Sequence, residues 1–190
     1  MSVLMRATEI MKRPVVTLAG EDVAQIKDIV YAGAEAGEVA GFTLAGRGLF
    51  SGPRKEALPW SAVHGLGRDA VMIADEQALD DRQTVVEKGE ARGGDVLGSR
   101  VLTDDGVDLG KVVDVILEVG RTADVVGYAI DSTEALGRDG RTVLIPLPDT
   151  IAVSGEALIV PSATTEFVTD DLSGFGAAVE AFRTRLRGGV

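Results

Sequence analysis

Two aspartates inside apolar stretches are the most regular candidates for chemistry in this chain. Asp28 lies in the stretch QIKDIVYA and Asp114 lies in KVVDVILE. A carboxylate among apolar residues is a candidate general acid, general base or cation ligand. The alternative is structural, with each carboxylate accepting hydrogen bonds from the backbone N–H groups of a turn. We expect the structural role at both positions.

The other polar candidates are a single histidine and a cluster of aspartates. His64 has no second histidine or cysteine with which to form a zinc site, and with Ser61 it matches no nucleophile elbow or triad order. Asp104, Asp105 and Asp108 surround a glycine, but their spacing is not that of an EF-hand and no glutamate follows at the twelfth position. We therefore expect no catalytic, metal-binding or cofactor-binding residues and no cofactor.

A basic, glycine-rich loop is the best local candidate for binding an acidic partner. Residues 45–55 read AGRGLFSGPRK and contain Arg47, Arg54 and Lys55. A Walker phosphate loop needs Gly-Lys followed by Ser or Thr at the start of a helix, and this segment lacks that order. The segment is predicted to be a mobile loop whose cations stand out on an acidic protein.

The C-terminal tail predicts an amphipathic helix. Its apolar residues follow the helical spacings 3, 4, 3 and 4, and they are Leu172, Phe175, Val179, Phe182 and Leu186. Three roles stay open for this stripe. It packs on a barrel or in the groove between two barrels, it binds a partner or a second copy through Phe175, Val179, Phe182 and Leu186, or it lies on a membrane surface. The acidic character of the protein argues against the membrane.

Composition limits the classes of function. The chain has 190 residues and a formal net charge of −11, which disfavours general binding to nucleic acid. It has no cysteine, which excludes disulfides and thiolate chemistry and fits a cytoplasmic location. No apolar run is long enough for a transmembrane helix, and the first residues do not resemble a signal peptide.

The elements that carry these residues occur twice. Asp28 matches Asp114 and Gly41 matches Gly127, in both cases at an offset of 86 residues. Short apolar runs with glycine turns recur in the same order, and Leu58-Pro59 matches Ile145-Pro146 at an offset of 87. Such spacing predicts one small β module used twice.

The repeat divides the chain into four segments. We predict a first, more divergent barrel at 6–74, an acidic linker at 75–95 and a second barrel at 96–168. An amphipathic C-terminal helix is predicted at 170–187. The expected fold is all-β, with two tandem small barrels and a short C-terminal α-helix.

The second repeat has the sequence LGSRV at 97–101, GKVVDV at 110–115, Gly127 and Ile145-Pro146. In these motifs it resembles the PRC-barrel domain, the family of the reaction centre H subunit and of the C-terminal domain of the ribosome-maturation factor RimM. The first repeat keeps Asp28, Gly41 and LPWSAV at 58–63, but Lys12 stands where the second has Gly98 and Ala24 where it has Gly110. The resemblance implies a strongly bent β-barrel for each copy, with docking roles and no catalytic residues to carry over.

We therefore expect a non-enzymatic adaptor or scaffold that binds a protein partner, or a second copy of itself, through tandem barrels. An alternative is a ribosome- or RNA-associated assembly factor, by analogy with RimM. A second alternative is a small-ligand binder or an enzyme that uses the groove between the barrels.

Overall fold

The computed structural model describes residues 2–32, 37–48, 51–87, 91–92, 96–137, 140–148, 152–153 and 157–188. They form two compact units. The N-terminal unit comprises Ala7–Gly93 and Val119–Asp124, and the C-terminal unit comprises Met1–Arg6, Gly94–Glu118 and Val125–Val190.

The described residues are predominantly strand, as the pattern of short apolar runs and glycine turns predicts. In the N-terminal half the elements are β1 (Val3–Arg6), α1 (Ala7–Ile10), β2 (Pro14–Thr17), β3 (Asp22–Ala32), β4 (Glu38–Ala45), β5 (Pro53–Pro59), β6 (Val63–Leu66), β7 (Val71–Ile73), β8 (Asp80–Asp81), α2 (Arg82–Glu87) and β9 (Ala91–Arg92). In the C-terminal half they are β10 (Arg100–Thr103), β11 (Asp108–Val119), β12 (Ala123–Ser132), β13 (Thr142–Pro146), β14 (Ala152–Val153), β15 (Ala157–Val160) and α3 (Phe175–Gly188).

The strands of the N-terminal unit pair in the order β6-β7-β2-β3-β4-β5-β8, with β9 paired to β3. Most neighbours are antiparallel, but β2 and β7 are parallel, with Val15 beside Val71. The pairing of β2 with β3 shifts register between Val15 and Val16, which marks a bulge. Bulges of this kind bend a strand and increase its twist, as a small barrel requires.

The C-terminal unit repeats this pairing. Its order is β14-β15-β10-β11-β12-β13, with β1 added to β11. The parallel pair recurs between β10 and β15, with Val101 beside Leu158, and the register shift recurs between Val101 and Leu102. The expectation of two tandem β-barrel copies with a short C-terminal helix is thus confirmed.

The turn before the first paired strand is also the same in both copies, although one has lysine and the other glycine. Lys12 has a φ of 67° and Gly98 a φ of 84°, so both occupy the left-handed region. The backbone N–H of Lys12 donates to the carbonyl of Ile26 at 2.9 Å, and that of Gly98 donates to Val112 at 2.7 Å. Lysine is strained in this conformation and glycine is not. The first copy therefore keeps the turn at an energetic cost.

Each unit has its own aliphatic core, in agreement with the low aromatic content. Inward-facing residues alternate along the strands and are completely buried. In the N-terminal unit they include Val15, Ile26, Phe42, Leu44, Leu58 and Ile73, and in the C-terminal unit Val101, Leu109, Ile116, Ile130, Val143 and Leu158. Their burial supplies most of the driving force for folding of each barrel.

A helix packs against the same glycine in each copy. A Cβ atom placed on Gly41 would lie 3.0 Å from Cγ1 of Val85 in α2, and one placed on Gly127 would lie 2.8 Å from Cε1 of Phe175 in α3. Both helical side chains are buried. The two glycines thus allow a helix to approach the sheet closely. Helix α2 lies in the stretch predicted as a linker, so each copy has its own helix.

Among the described residues, no helix is both long enough and apolar enough to cross a membrane.

Candidate functional site

Two of the three cations that the sequence singled out form ion pairs within the N-terminal unit. Arg47 pairs with Asp22. Arg54 makes three contacts, to Glu56 at 3.1 Å, to Glu76 at 2.8 Å and to the carbonyl oxygen of Val23 at 2.5 Å. These two arginines therefore act in the structure of the unit.

Arg54 is the centre of this network. Its side chain is about one-fifth exposed and its guanidinium joins β5 to β3 and to the turn that contains Glu76. The hydrogen bond to Glu76 is the main cause that raises the pKa of Arg54, whereas the hydrogen bond from Arg54 lowers the pKa of Glu56. A planar guanidinium can bond in several directions at once, which a lysine ammonium cannot reproduce.

Lys55 lies in different surroundings. Its side chain is exposed, and within the described part of the chain it forms no ion pair. It lines an open groove of about 500 Å³ between the start of β5 and the first turn of α2. The other lining residues are Pro53, Arg54, Asp81, Arg82, Gln83 and Val86.

Helix α2 forms one wall of the groove because its start and its apolar face are both fixed. The carboxylate of Asp81 accepts the backbone N–H of Gln83 at 2.8 Å, as a residue at a helix start commonly does. Val85 is buried against the sheet, and the neighbouring Val86 is half-buried beside the groove. Arg82 is exposed at the first helical position and, like Lys55, has no ion pair among the described residues.

The sequence interpretation did not include Arg82 or Val86 in a site. It treated 75–95 as an acidic linker, because acidic residues dominate its composition. The available signal was Asp81 before RQTVVE, a short helix start followed by two valines. What brings this helix beside Lys55 is the burial of Val85 on the sheet, which composition does not reveal.

The apolar tail residues belong to the core of the C-terminal unit. Phe175 and Val179 pack with Ile116, Val126 and Leu144, with Leu172 partly buried at the edge. Phe182 is also buried and lies 5.4 Å from the ring of Phe167. Leu186 is 37% exposed. Of the three roles left open for the stripe, packing on a barrel is the one observed, and it leaves Phe175, Val179 and Phe182 without a surface for a partner.

The carboxylates of the repeated aspartates accept hydrogen bonds from backbone N–H groups, as expected. Both residues, however, lie within strands and not in turns. Asp28 accepts the N–H of Ile29 and Asp114 that of Val115, each at 2.8 Å. Asp28 is exposed where the register of β3 against β4 shifts, whereas Asp114 is buried. The same local bond at equivalent positions supports a structural role for both.

The aspartates of the turn at 104–108 are engaged by other groups of the protein. Asp104 accepts the backbone N–H of Ser162, and Asp105 accepts the hydroxyl of Thr103. Asp108 forms an ion pair with Arg100. Nowhere in the described ranges do three or more acidic, histidine or cysteine side chains gather as a metal site would require.

His64 and Ser61 line a smaller cavity of about 150 Å³ in the N-terminal unit. The indole N–H of Trp60 closes one side by donating to the carbonyl oxygen of Arg121 at 2.9 Å. No hydrogen bond between described residues joins Ser61 to His64.

Comparison with known proteins agrees with this architecture. No curated protein matches the chain significantly. The family model of the PRC-barrel domain matches residues 3–79 and again residues 88–166. These two matches cover most of the chain, and the first contains strands β2 to β7 and the second strands β10 to β15. The chain therefore belongs to the PRC-barrel domain family, of which it contains two tandem copies.

Proposed function

We propose that this protein is a non-enzymatic adaptor that binds a protein partner through its tandem PRC-barrels. The observation that carries the proposal is the groove of the N-terminal unit, where exposed Lys55 and Arg82 flank the half-buried Val86. Polar groups around an apolar floor are typical of a binding site.

The second copy supports the assignment of this groove to binding. At the offset of 87 that relates Leu58-Pro59 to Ile145-Pro146, Lys55 corresponds to Thr142. The hydroxyl of Thr142 donates to Asp131 at 2.9 Å, so this position is used within the barrel. The shared barrel is thus the framework, and the lysine at this position is a feature of the first copy that the second does not repeat.

The polar residues that line the groove favour binding over catalysis. Asp81 is engaged by a backbone N–H, and Arg54 by Glu56 and Glu76. The described lining residues include no serine, cysteine or histidine. They therefore supply no Ser or Cys nucleophile and no histidine base.

Recovery of partners from the native cell tests the proposal. The full chain carries an affinity tag, is crosslinked in the cell and is purified, and each recovered protein is then produced separately and mixed with the pure chain. We expect at least one protein to bind directly in a defined ratio. Recovery of ribosomal particles or RNA alone, or of no direct partner, would contradict the adaptor role.

A further inference from the structure

Three of the described residues that line the groove are cations, namely Arg54, Lys55 and Arg82. Arg54 is paired with two glutamates, whereas neither Lys55 nor Arg82 has an ion pair among the described residues. Asp81 is the one acidic lining residue described, and its carboxylate accepts the N–H of Gln83. On a chain with a net charge of −11, this local excess of cations favours an anionic ligand.

The shape of the groove suits a short stretch of polypeptide. Its volume of about 500 Å³ lies within the usual range for binding clefts and it is open to solvent along its length. The cations Lys55 and Arg82 come from its two walls, one from β5 and one from α2. Val86 adds an apolar surface that a bare inorganic anion would leave unused.

Resting on the adaptor function proposed above, we infer that the groove binds an acidic segment of the partner protein. Carboxylates of the segment pair with Lys55 and Arg82, and an apolar side chain between them packs on Val86. Hydrogen bonds between charged partners are stronger than neutral ones, and a guanidinium can hold a carboxylate with two of them. The inference thus specifies a ligand of alternating acidic and apolar character.

The same observations disfavour a nucleic acid as the ligand. Two unpaired cations neutralise few phosphates, while the acidic remainder of the protein repels the rest of the backbone. Single-stranded nucleic acids are usually held by aromatic side chains that stack on the bases. None of the described lining residues is aromatic.

Selection from a random peptide display library on the pure full chain tests the inference. We expect Asp and Glu to be enriched in peptides selected by the wild type. The double variant Lys55→Glu/Arg82→Glu should lose this enrichment and bind a selected peptide at least tenfold more weakly by fluorescence anisotropy. Both substituted side chains are exposed, and an unchanged circular dichroism spectrum verifies that the variant is folded.

Lys27→Glu is the control for charge reversal outside the groove, since Lys27 is an exposed lysine of the same unit without an ion pair in the described ranges, and it does not line the groove. It should keep the acidic enrichment and the affinity. Absence of acidic enrichment in the wild type, or equal losses in the control and the double variant, would overturn the inference. Tighter binding of labelled poly-uridine RNA than of the selected peptide, lost in the double variant, would overturn it too.

The two proposals fail in different ways. If the double variant still binds the native partner as the wild type does, the acidic-segment inference is wrong and the adaptor function stands. If the chain has no protein partner, the adaptor function is wrong, and the library selection reports separately on the ligand preference of the groove.

Discussion

Replacing Phe175 by alanine tests whether helix α3 is an integral part of the C-terminal barrel. The side chain is completely buried and packs with Ile116, Val126 and Leu144. Removing roughly 180 Å² of buried aromatic surface at about 25 cal/mol per Å² predicts a loss of about 4.5 kcal/mol in the free energy of unfolding. This agrees with the roughly 3–5 kcal/mol typical of Phe→Ala in protein cores.

Urea denaturation followed by far-ultraviolet circular dichroism measures this loss. Leu186→Ala in the same helix is the control, because Leu186 is 37% exposed and lies outside the buried cluster. It should cost about 1 kcal/mol or less. A Phe175→Ala variant whose free energy of unfolding lies within about 1 kcal/mol of the wild type would refute the assignment of α3 to the core.

A double-mutant cycle with Gly127 examines the close packing directly. A Cβ at Gly127 would lie 2.8 Å from Cε1 of Phe175 and would also clash with the carbonyl oxygen of Ile145, so Gly127→Ala should cost about 1–3 kcal/mol or more, of which Phe175→Ala relieves only the part that comes from the ring. The same substitution should cost less once Phe175 is alanine, with a coupling energy of about 0.5–3 kcal/mol. Strict additivity would show that the helix does not approach this glycine in solution.

Three further predictions concern single side chains, all measured by urea denaturation. The hydroxyl of Tyr128 has no hydrogen-bond partner among the described residues, and burial raises the pKa of Tyr128 to about 12 from 10.0. The free energy of unfolding therefore contains the full contribution of the neutral Tyr128 below pH 10, and it falls by about 2–3 kcal/mol as the pH rises to 12, because the unfolded chain ionises first. Tyr128→Phe should remove this fall. A variant with the same pH profile as the wild type would contradict the prediction. Arg54→Lys should lower the free energy of unfolding by about 1–2 kcal/mol, because lysine cannot keep all three contacts. Lys55→Ala should leave it almost unchanged. Equal losses in the two variants would show that the contacts of Arg54 do not stabilise the unit. Lys12→Gly should stabilise the chain by about 0.5–1 kcal/mol, and Gly98→Lys should destabilise it, because both positions have a positive φ. Destabilisation by Lys12→Gly together with stabilisation by Gly98→Lys would rule out the left-handed turn.

The repeat was readable from the sequence because it is expressed in local patterns. Alternating apolar residues, glycine turns and the offset of 86 between Asp28 and Asp114 all depend on spacing along the chain. The structure adds how these strands pair, including the parallel pairs at Val15 and Val101, which the sequence did not predict. The turn at Lys12 shows that a departure from the pattern need not change the backbone, because the surrounding sheet holds it in place.

The equivalence of α2 and α3 was not readable in this way. One helix has six residues and the other fourteen, and their sequences share no spacing. What they share is a position over Gly41 or Gly127, where Val85 or Phe175 is buried. That relation depends on contacts between residues far apart in the chain, so a composition that suggests a linker can still form part of a barrel.

The candidate site was also only partly predictable from the sequence. The basic residues Arg47, Arg54 and Lys55 were visible as a local charge pattern. Whether each of them forms an ion pair depends on its neighbours in the folded chain. Asp22, Glu56 and Glu76 neutralise the two arginines, while Lys55 faces Arg82 across a groove. By itself the sequence determined the fold class and its duplication, since these follow from short-range periodicity. Only the tertiary structure decided which cations are paired and which apolar side chains are covered, because both depend on long-range contacts.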